Sequence, residues 1–219
     1  MSSMFDVLGP ITVGPSSSHT AGAVRIGRIC RGILGENVKK ATITFYGSFA
    51  ETYRGHGTDK AVIGGLLGLD TNDELVRDSL KLAQFRGLDF EFLTAEDPRL
   101  HPNTVLIEAR GAEGRASVMG QSLGGGSIMI TRINGRELYA RCTLDTLAVF
   151  SLDVPGVVAV LSRVLFEAGY NISNMRLNRT RRAGSVVSVI ETDVPVGSET
   201  IVLIQMIDTV EAVIQIPKL

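Results

Sequence analysis

Apolar positions along the first part of the chain follow a helical period, then the alternation of a strand, and the switch repeats. Ala21, Val24, Ile26, Ile29, Ile33 and Leu34 mark one face of a helix that Gly35 would end. The helix is preceded by the chain-breaking Gly14-Pro15 and by Ser16, Ser17 and Ser18, three N-cap candidates that start it near Ser18. The β-branched and aromatic run 40–46 predicts a strand and the apolar run 60–69 a helix, with the polar loop Gly55-His56-Gly57-Thr58-Asp59 between them. Thr71-Asn72-Asp73-Glu74 reads as the cap of another helix, carrying Leu75, Val76, Leu80, Leu82, Ala83 and Phe85 and stopped by Gly87. Short strands are expected at 90–94, 104–109, 116–121, 128–133 and around Leu138, separated by Gly-rich or polar turns.

Near residue 145 the pattern changes. A strand at 147–152, a turn at Asp153-Val154-Pro155-Gly156 and a helix at 157–168 stopped by Gly169 come first. Strands at 171–178 and 185–191 pair across a polar turn at 181–184, and a helix at 198–206 and a strand at 209–216 complete a ferredoxin-like βαββαβ unit. The fold class is therefore α+β in two domains, residues 1–145 mixed α/β and residues 147–219 ferredoxin-like. With Asp153-Val154-Pro155-Gly156-Val157-Val158 after its first strand and Ala168-Gly169-Tyr170-Asn171-Ile172 after its first helix, the second unit resembles an ACT domain. That resemblance implies pairing with another copy through sheets or helices, and a small effector at Asp153, Gly156, Asn171 and Ile172. The other reading is that Pro155-Gly156 only makes the turn and this copy binds nothing.

Composition narrows the classes. A chain of 219 residues with 44% hydrophobic and 21% charged residues can bury a core, and at roughly 150 residues per domain it allows one large or two small domains. The net charge of -1 and the scarcity of aromatics, with no Trp, leave no electrostatic footprint and few stacking platforms for nucleic acid. No apolar run approaches the ~20 residues that span a bilayer, and the opening residues lack the basic and apolar regions of a leader, so a cytoplasmic protein is expected. Cys30 and Cys142 stand far apart, which excludes C-x-x-C and any self-contained set of three or four thiolate ligands. No metal site is expected in this chain itself, and any cluster must be held by another chain.

Chemistry concentrates in three polar segments, each with one histidine. In Ser18-His19-Thr20, a helix N-terminus aims backbone N–H groups and a positive dipole end into a loop with Ser16, Ser17, Ser18 and Thr20 hydroxyls, a setting suited to a carboxylate. His19 there is a candidate proton-transfer group or a donor beside the bound acid, and the other reading of the segment is a Ser N-cap on an ordinary helix. In the second segment, His56 lies between glycines that admit close approach of a ligand, and Asp59 is placed either to orient the imidazole or to cap the helix after it, with Thr58 beside it. In the third, His101, Asn103 and Thr104 flank Pro102 and either bind a polar ligand or close a turn. Gly124-Gly125-Gly126-Ser127 has no phosphate-loop spacing and reads as a hinge or a close-packing turn.

The opening run Met4-Phe5-Asp6-Val7-Leu8-Gly9-Pro10-Ile11-Thr12-Val13-Gly14-Pro15-Ser16-Ser17-Ser18-His19-Thr20-Ala21-Gly22-Ala23 resembles the start of the β chain of bacterial iron-sulfur L-serine dehydratases. The three histidine segments, the Gly124–Gly126 stretch and the ACT-like tail agree with it. The resemblance implies conversion of L-serine to pyruvate and ammonia with a [4Fe-4S] cluster ligated by a separate α chain. It implies an open iron acting on the serine hydroxyl while a base removes the Cα proton. His19 and His56 would be the acid–base candidates, and Ser16, Ser17, Ser18, Thr20, Thr58, Asp59, His101, Asn103 and Thr104 the substrate-binding ones. The first domain also resembles the allosteric substrate-binding domain of some phosphoglycerate dehydrogenases, so the alternative function is a non-catalytic serine-sensing module. The expected partners are the α chain, L-serine and further copies of this chain, with neither nucleic acid nor membrane.

Overall fold

The computed structural model describes residues 19–179 and 184–219. The Ser16–Ser18 triplet and the turn expected at 181–183 lie outside those residues. Two compact units divide between Arg136 and Glu137.

The first unit begins with helix α1, Ala21–Leu34, and strand β1, Lys40–Tyr46. Two helices follow without an intervening loop, α2 at Ser48–His56 and α3 at Thr58–Leu66. The expected polar loop at 55–59 is thus a helix–helix junction: Gly57 alone turns the chain, its left-handed φ of 72° capping α2 and opening α3. His56 ends a helix rather than lying in a loop. The helix expected over 71–87 is divided into a 3-10 turn, Glu74–Asp78, and α4, Ser79–Phe85. Asp73 accepts a hydrogen bond from the Leu75 amide, and Leu75 and Phe85 point outward at 52% and 89% exposure, so the predicted apolar stripe does not all enter the core.

Strands β2 (Asp89–Ala95), β3 (Thr104–Arg110), β4 (Arg115–Gly124), β5 (Ser127–Ile133) and β6 (Arg136–Ala140) join β1 in the order β2-β1-β3-β4-β5-β6. β1 is parallel to β2, across the helical crossover, and antiparallel to β3. Ile26, Ile29 and Cys30 of α1, Val62, Ile63 and Leu66 of α3, and Ile43, Phe45, Val105, Ile107, Val118 and Ile130 of the sheet form the core. Past the end of α1, the Glu36 carboxylate accepts the Ala112, Glu113 and Gly114 amides of the β3–β4 turn, and those bonds hold its pKa below the ordinary carboxylate value.

α1 and α3 cross where neither has a side chain. A Cβ on Gly27 would stand 2.5 Å from the Val62 carbonyl oxygen, and one on Gly65 would stand 2.1 Å from that of Val24. The helices run in the same sense across this crossing. Arg31, late in α1, donates to the carbonyl of Leu66 at the end of α3, and His19, ahead of α1, faces His56, ahead of α3.

The second unit contains β7 (Asp145–Leu152), α5 (Val157–Glu167), β8 (Ile172–Arg179), β9 (Ser185–Thr192), α6 (Ser198–Gln205) and β10 (Val210–Ile216). Its antiparallel sheet has the order β10-β7-β9-β8, the strand order of a ferredoxin-like βαββαβ unit. Leu147, Val149 and Ile190 of the sheet pack with Val157, Leu161 and Leu165 of α5 and with Ile204 of α6.

Gly65→Ala should lower the unfolding free energy by about 1–3 kcal/mol, because its new methyl meets backbone rather than a yielding side chain. Gly55→Ala, whose Cβ enters open space inside α2, should instead stabilise by roughly 0.5–1 kcal/mol. Urea midpoints of the two variants check the pair, and an unchanged midpoint for Gly65→Ala contradicts the crossing.

Candidate functional site

The parallel crossing aligns two helix N-termini. Thr20 precedes Gly27 by seven residues, and Thr58 precedes Gly65 by seven. Seven residues make nearly two turns, about 10.5 Å of rise, and return to the same helical face. Each threonine therefore stands level with the other on the face its helix turns to its neighbour. Both are buried, at 3% and 0% exposure, and neither hydroxyl has a hydrogen-bond partner among the described residues. Thr20 takes the N-cap position of α1 without using its side chain as a cap.

The imidazoles of His19 and His56 lie over these termini, with ring centroids 4.7 Å apart and planes tilted by 32°. Nδ1 of His56 is buried and lacks a hydrogen-bond partner among the described residues. Burial, and then the positive charge His56 can carry, lower the His19 pKa from its ordinary value. Asp59, 8% exposed, has its carboxyl pKa raised by burial, against the opposing effect of the Lys60 amide that donates to its Oδ1. Of the two roles expected for Asp59, the bond it makes is to the backbone of its own helix, in the first turn of α3.

The third histidine segment is a self-contained turn. His101 Nδ1 accepts the Asn103 amide at 3.1 Å, which puts the proton of the neutral ring on Nε2, and the Thr104 hydroxyl donates to the His101 carbonyl at 2.6 Å. Thr104 is thus a buried turn hydroxyl already engaged within its own segment. The turn abuts the site through its backbone. The Phe49 amide donates to the Pro102 carbonyl, and Gly47, at φ 54°, lies so close that a Cβ there would be 2.8 Å from Pro102. The Asn103 carbonyl accepts the Ser122 amide, and Ser122 lies against Gly22 in the first turn of α1. In the turn at Gly124–Gly126 the Gly126 carbonyl accepts a hydrogen bond from Arg25 at 2.6 Å. Four segments separated by up to a hundred residues thereby share one end of the first unit.

Sequence reasoning missed Phe49, Gly27, Gly65 and Arg25. The repeated Thr-x6-Gly spacing at 20–27 and 58–65 was the available signal for the crossing, and the seven-residue step from Phe49 to His56 was the signal for Phe49.

The candidate effector residues of the second unit divide. Asp153 accepts a hydrogen bond from Arg179, at the end of β8, whereas Asn171 and Ser173, at its beginning, donate to Asp193. At ~3.3 Å per residue those ends lie roughly 23 Å apart, so one chain does not gather Asp153 and Gly156 with Asn171 and Ile172.

Among the described residues, no group of three or more His, Cys, Asp or Glu side chains is arranged to hold a metal ion. Burial pushes the Cys30 and Cys142 thiols up to about 12, away from the thiolate form that ligates iron. The described residues of this chain do not fit an iron-sulfur cluster. No helix among the described residues is long and apolar enough to cross a membrane.

Thr58→Val should raise the unfolding free energy by roughly 1 kcal/mol, since it replaces an unsatisfied buried hydroxyl with a methyl of similar size. A clear fall in the urea midpoint would show that the hydroxyl is satisfied in the free chain.

A family model described as serine dehydratase beta chain matches residues 3–84. The probable L-serine dehydratase β chain of Bacillus subtilis is 42% identical over 191 residues, covering 87% of either chain. The L-serine dehydratase β chain of Peptoniphilus asaccharolyticus is 37% identical, covering 88% of either chain. L-serine dehydratase 1 of Escherichia coli is 35% identical over 81% of this chain and 42% of its own length. Among solved structures, the ACT domain of a GTP pyrophosphokinase from Chlorobium tepidum aligns with 33% of this chain and 95% of that one, at 15% identity and a TM-score of 0.29.

Proposed function

The chain belongs to the L-serine dehydratase β-chain family, and we propose that its first unit binds L-serine and moves protons in its conversion to pyruvate and ammonia. The observation that carries this reading is the His19–His56 pair, 4.7 Å apart, set over two level helix N-termini with unpartnered threonine hydroxyls. The serine carboxylate suits the two N-termini and the Thr20 and Thr58 hydroxyls, because both helix dipoles present their positive ends there. The Cα proton becomes more acidic when the carboxylate beside it is stabilised by such donors, and an imidazole within reach can accept it. His19 is suited to the base role because burial, and then the neighbouring His56, lower its pKa and so favour the neutral imidazole. Loss of that proton and of the β-hydroxyl forms a C=C bond. The resulting enamine tautomerises to an imine, and water releases ammonia and pyruvate.

The iron-sulfur cluster of this reading belongs to a partner α chain, consistent with the two buried thiols of this one. His101 and Asn103 lie one contact further out, flanking Pro102, whose carbonyl accepts the Phe49 amide. In this reading Ser16, Ser17 and Ser18, which precede His19 in the sequence, are further substrate-binding hydroxyls.

The assembled enzyme provides the test. With the iron-sulfur partner under anaerobic conditions, His19→Ala or His56→Ala should lower kcat for serine deamination by about 10²-fold or more, and Thr20→Val should act mainly on KM. Full turnover by either histidine variant overturns the acid–base roles. Weaker serine binding with an intact maximal rate identifies a serine sensor instead.

The second unit, in the same reading, is an ACT-type regulatory domain that pairs with a second copy. Phe166 on α5 and Met206 after α6 are 79% and 72% exposed, with Val202 and Leu203 beside them on α6. Such an apolar surface suits a subunit contact. An effector at this unit takes Asp153 and Gly156 from one copy and Asn171 and Ile172 from the other. Phe166→Glu should reduce the mass measured by light scattering, and an unchanged mass for that variant and for Met206→Glu rejects this contact.

A further inference from the structure

We infer that Phe49 is a positioning residue that holds the His19 imidazole in place against His56. Phe49 is wholly buried in the first turn of α2, seven residues before His56 and on the same helical face. Seven residues of helix rise about 10.5 Å. The His19 ring occupies that interval, its centroid 5.2 Å from Phe49 and 4.7 Å from His56.

Phe49 is itself fixed from three sides. Its ring meets Phe45 edge-on at 6.2 Å, and Phe45 in turn stacks on Tyr53 at 4.9 Å and on Phe92 at 5.8 Å. Its amide donates to the Pro102 carbonyl at 3.2 Å. Gly47, two residues earlier, admits Pro102 at a distance no side chain would allow. The aromatic cluster, the His101–Thr104 turn and helix α2 therefore all set the plane of this one ring, and the ring sets the plane of His19. An aromatic contact of this kind is directional, with edge and face distinguishable, whereas an aliphatic side chain of similar volume supplies only bulk.

The inference rests on the acid–base reading of His19 only for its catalytic consequence, and the experiment separates the two. Histidine-labelled full-length chain is examined by NMR as wild type, Phe49→Leu and Phe49→Met, and each variant is also assembled with the iron-sulfur partner for serine turnover. Loss of the ring should move the His19 Hε1 resonance. Its titration midpoint should rise toward the ordinary imidazole value, because burial is the main effect lowering it. The His101 resonances should stay where they are. In the assembled enzyme kcat should fall about 10-fold to 100-fold, with KM changed by less than about threefold. An unmoved His19 midpoint with an unchanged NOE between the His19 and His56 rings in either folded variant overturns the inference. A weakened NOE between those rings with undiminished kcat supports the positioning and removes the acid–base role of His19. If Phe49→Leu does not fold, Phe49→Met, which keeps a long apolar side chain in the gap, carries the same comparison.

Discussion

The close crossing of α1 and α3 is the constraint on which the rest of the first unit depends. Two glycines let the helix backbones touch, and a side chain at either would meet a carbonyl oxygen. Contact at that point brings two positive helix ends to one place, which polar side chains alone do not achieve. The sheet then fixes the assembly from the other side. Gly22 lies against Ser122, and Ile26 covers Gly120, so α1 is pressed onto β4 as closely as onto α3. Small residues at both contacts trade side-chain burial for proximity, and the site is what that proximity produces.

Much of this architecture was legible in the sequence, where local chemistry dictated local structure. The strand at 40–46 and the five later strands of the first sheet appear where β-branched residues and turn signals placed them, the bounded ones within three residues at their ends. The six elements of the second unit follow the expected order. The junction at residues 55–59 misled for a definable reason: Gly55 and Gly57 look alike in sequence, yet only Gly57 needs a left-handed backbone, and Gly55 sits inside a helix. The helix at 71–87 misled because apolar spacing does not reveal which side of a short helix meets the core. The His19–His56 contact and the Gly27–Gly65 crossing were beyond local reading, since each joins positions nearly forty residues apart.

The two thiols of the chain are taken up by packing. Cys30 is part of the helix packing, and Cys142 holds a left-handed backbone in the second unit while its carbonyl accepts the Leu219 amide. Both sulfurs serve as small apolar groups. What this chain brings together at one end of the first unit is two helix N-termini and two imidazoles 4.7 Å apart. The Thr20 and Thr58 hydroxyls there are buried and unpartnered among the described residues, which carries an energetic cost.

The matched spacing of Thr20 to Gly27 and of Thr58 to Gly65 acts as a ruler, and a ruler restricts how such a chain can vary. One residue inserted between threonine and glycine in either helix would turn the hydroxyl by about 100° and lift it about 1.5 Å. The two termini would no longer be level, and in α1 such an insertion would also displace residues that pack on β4. Outward-facing positions, which in α3 amount to Lys60 alone, are free of this restriction, while the length of each helix from cap to crossing is tied to a contact two turns away.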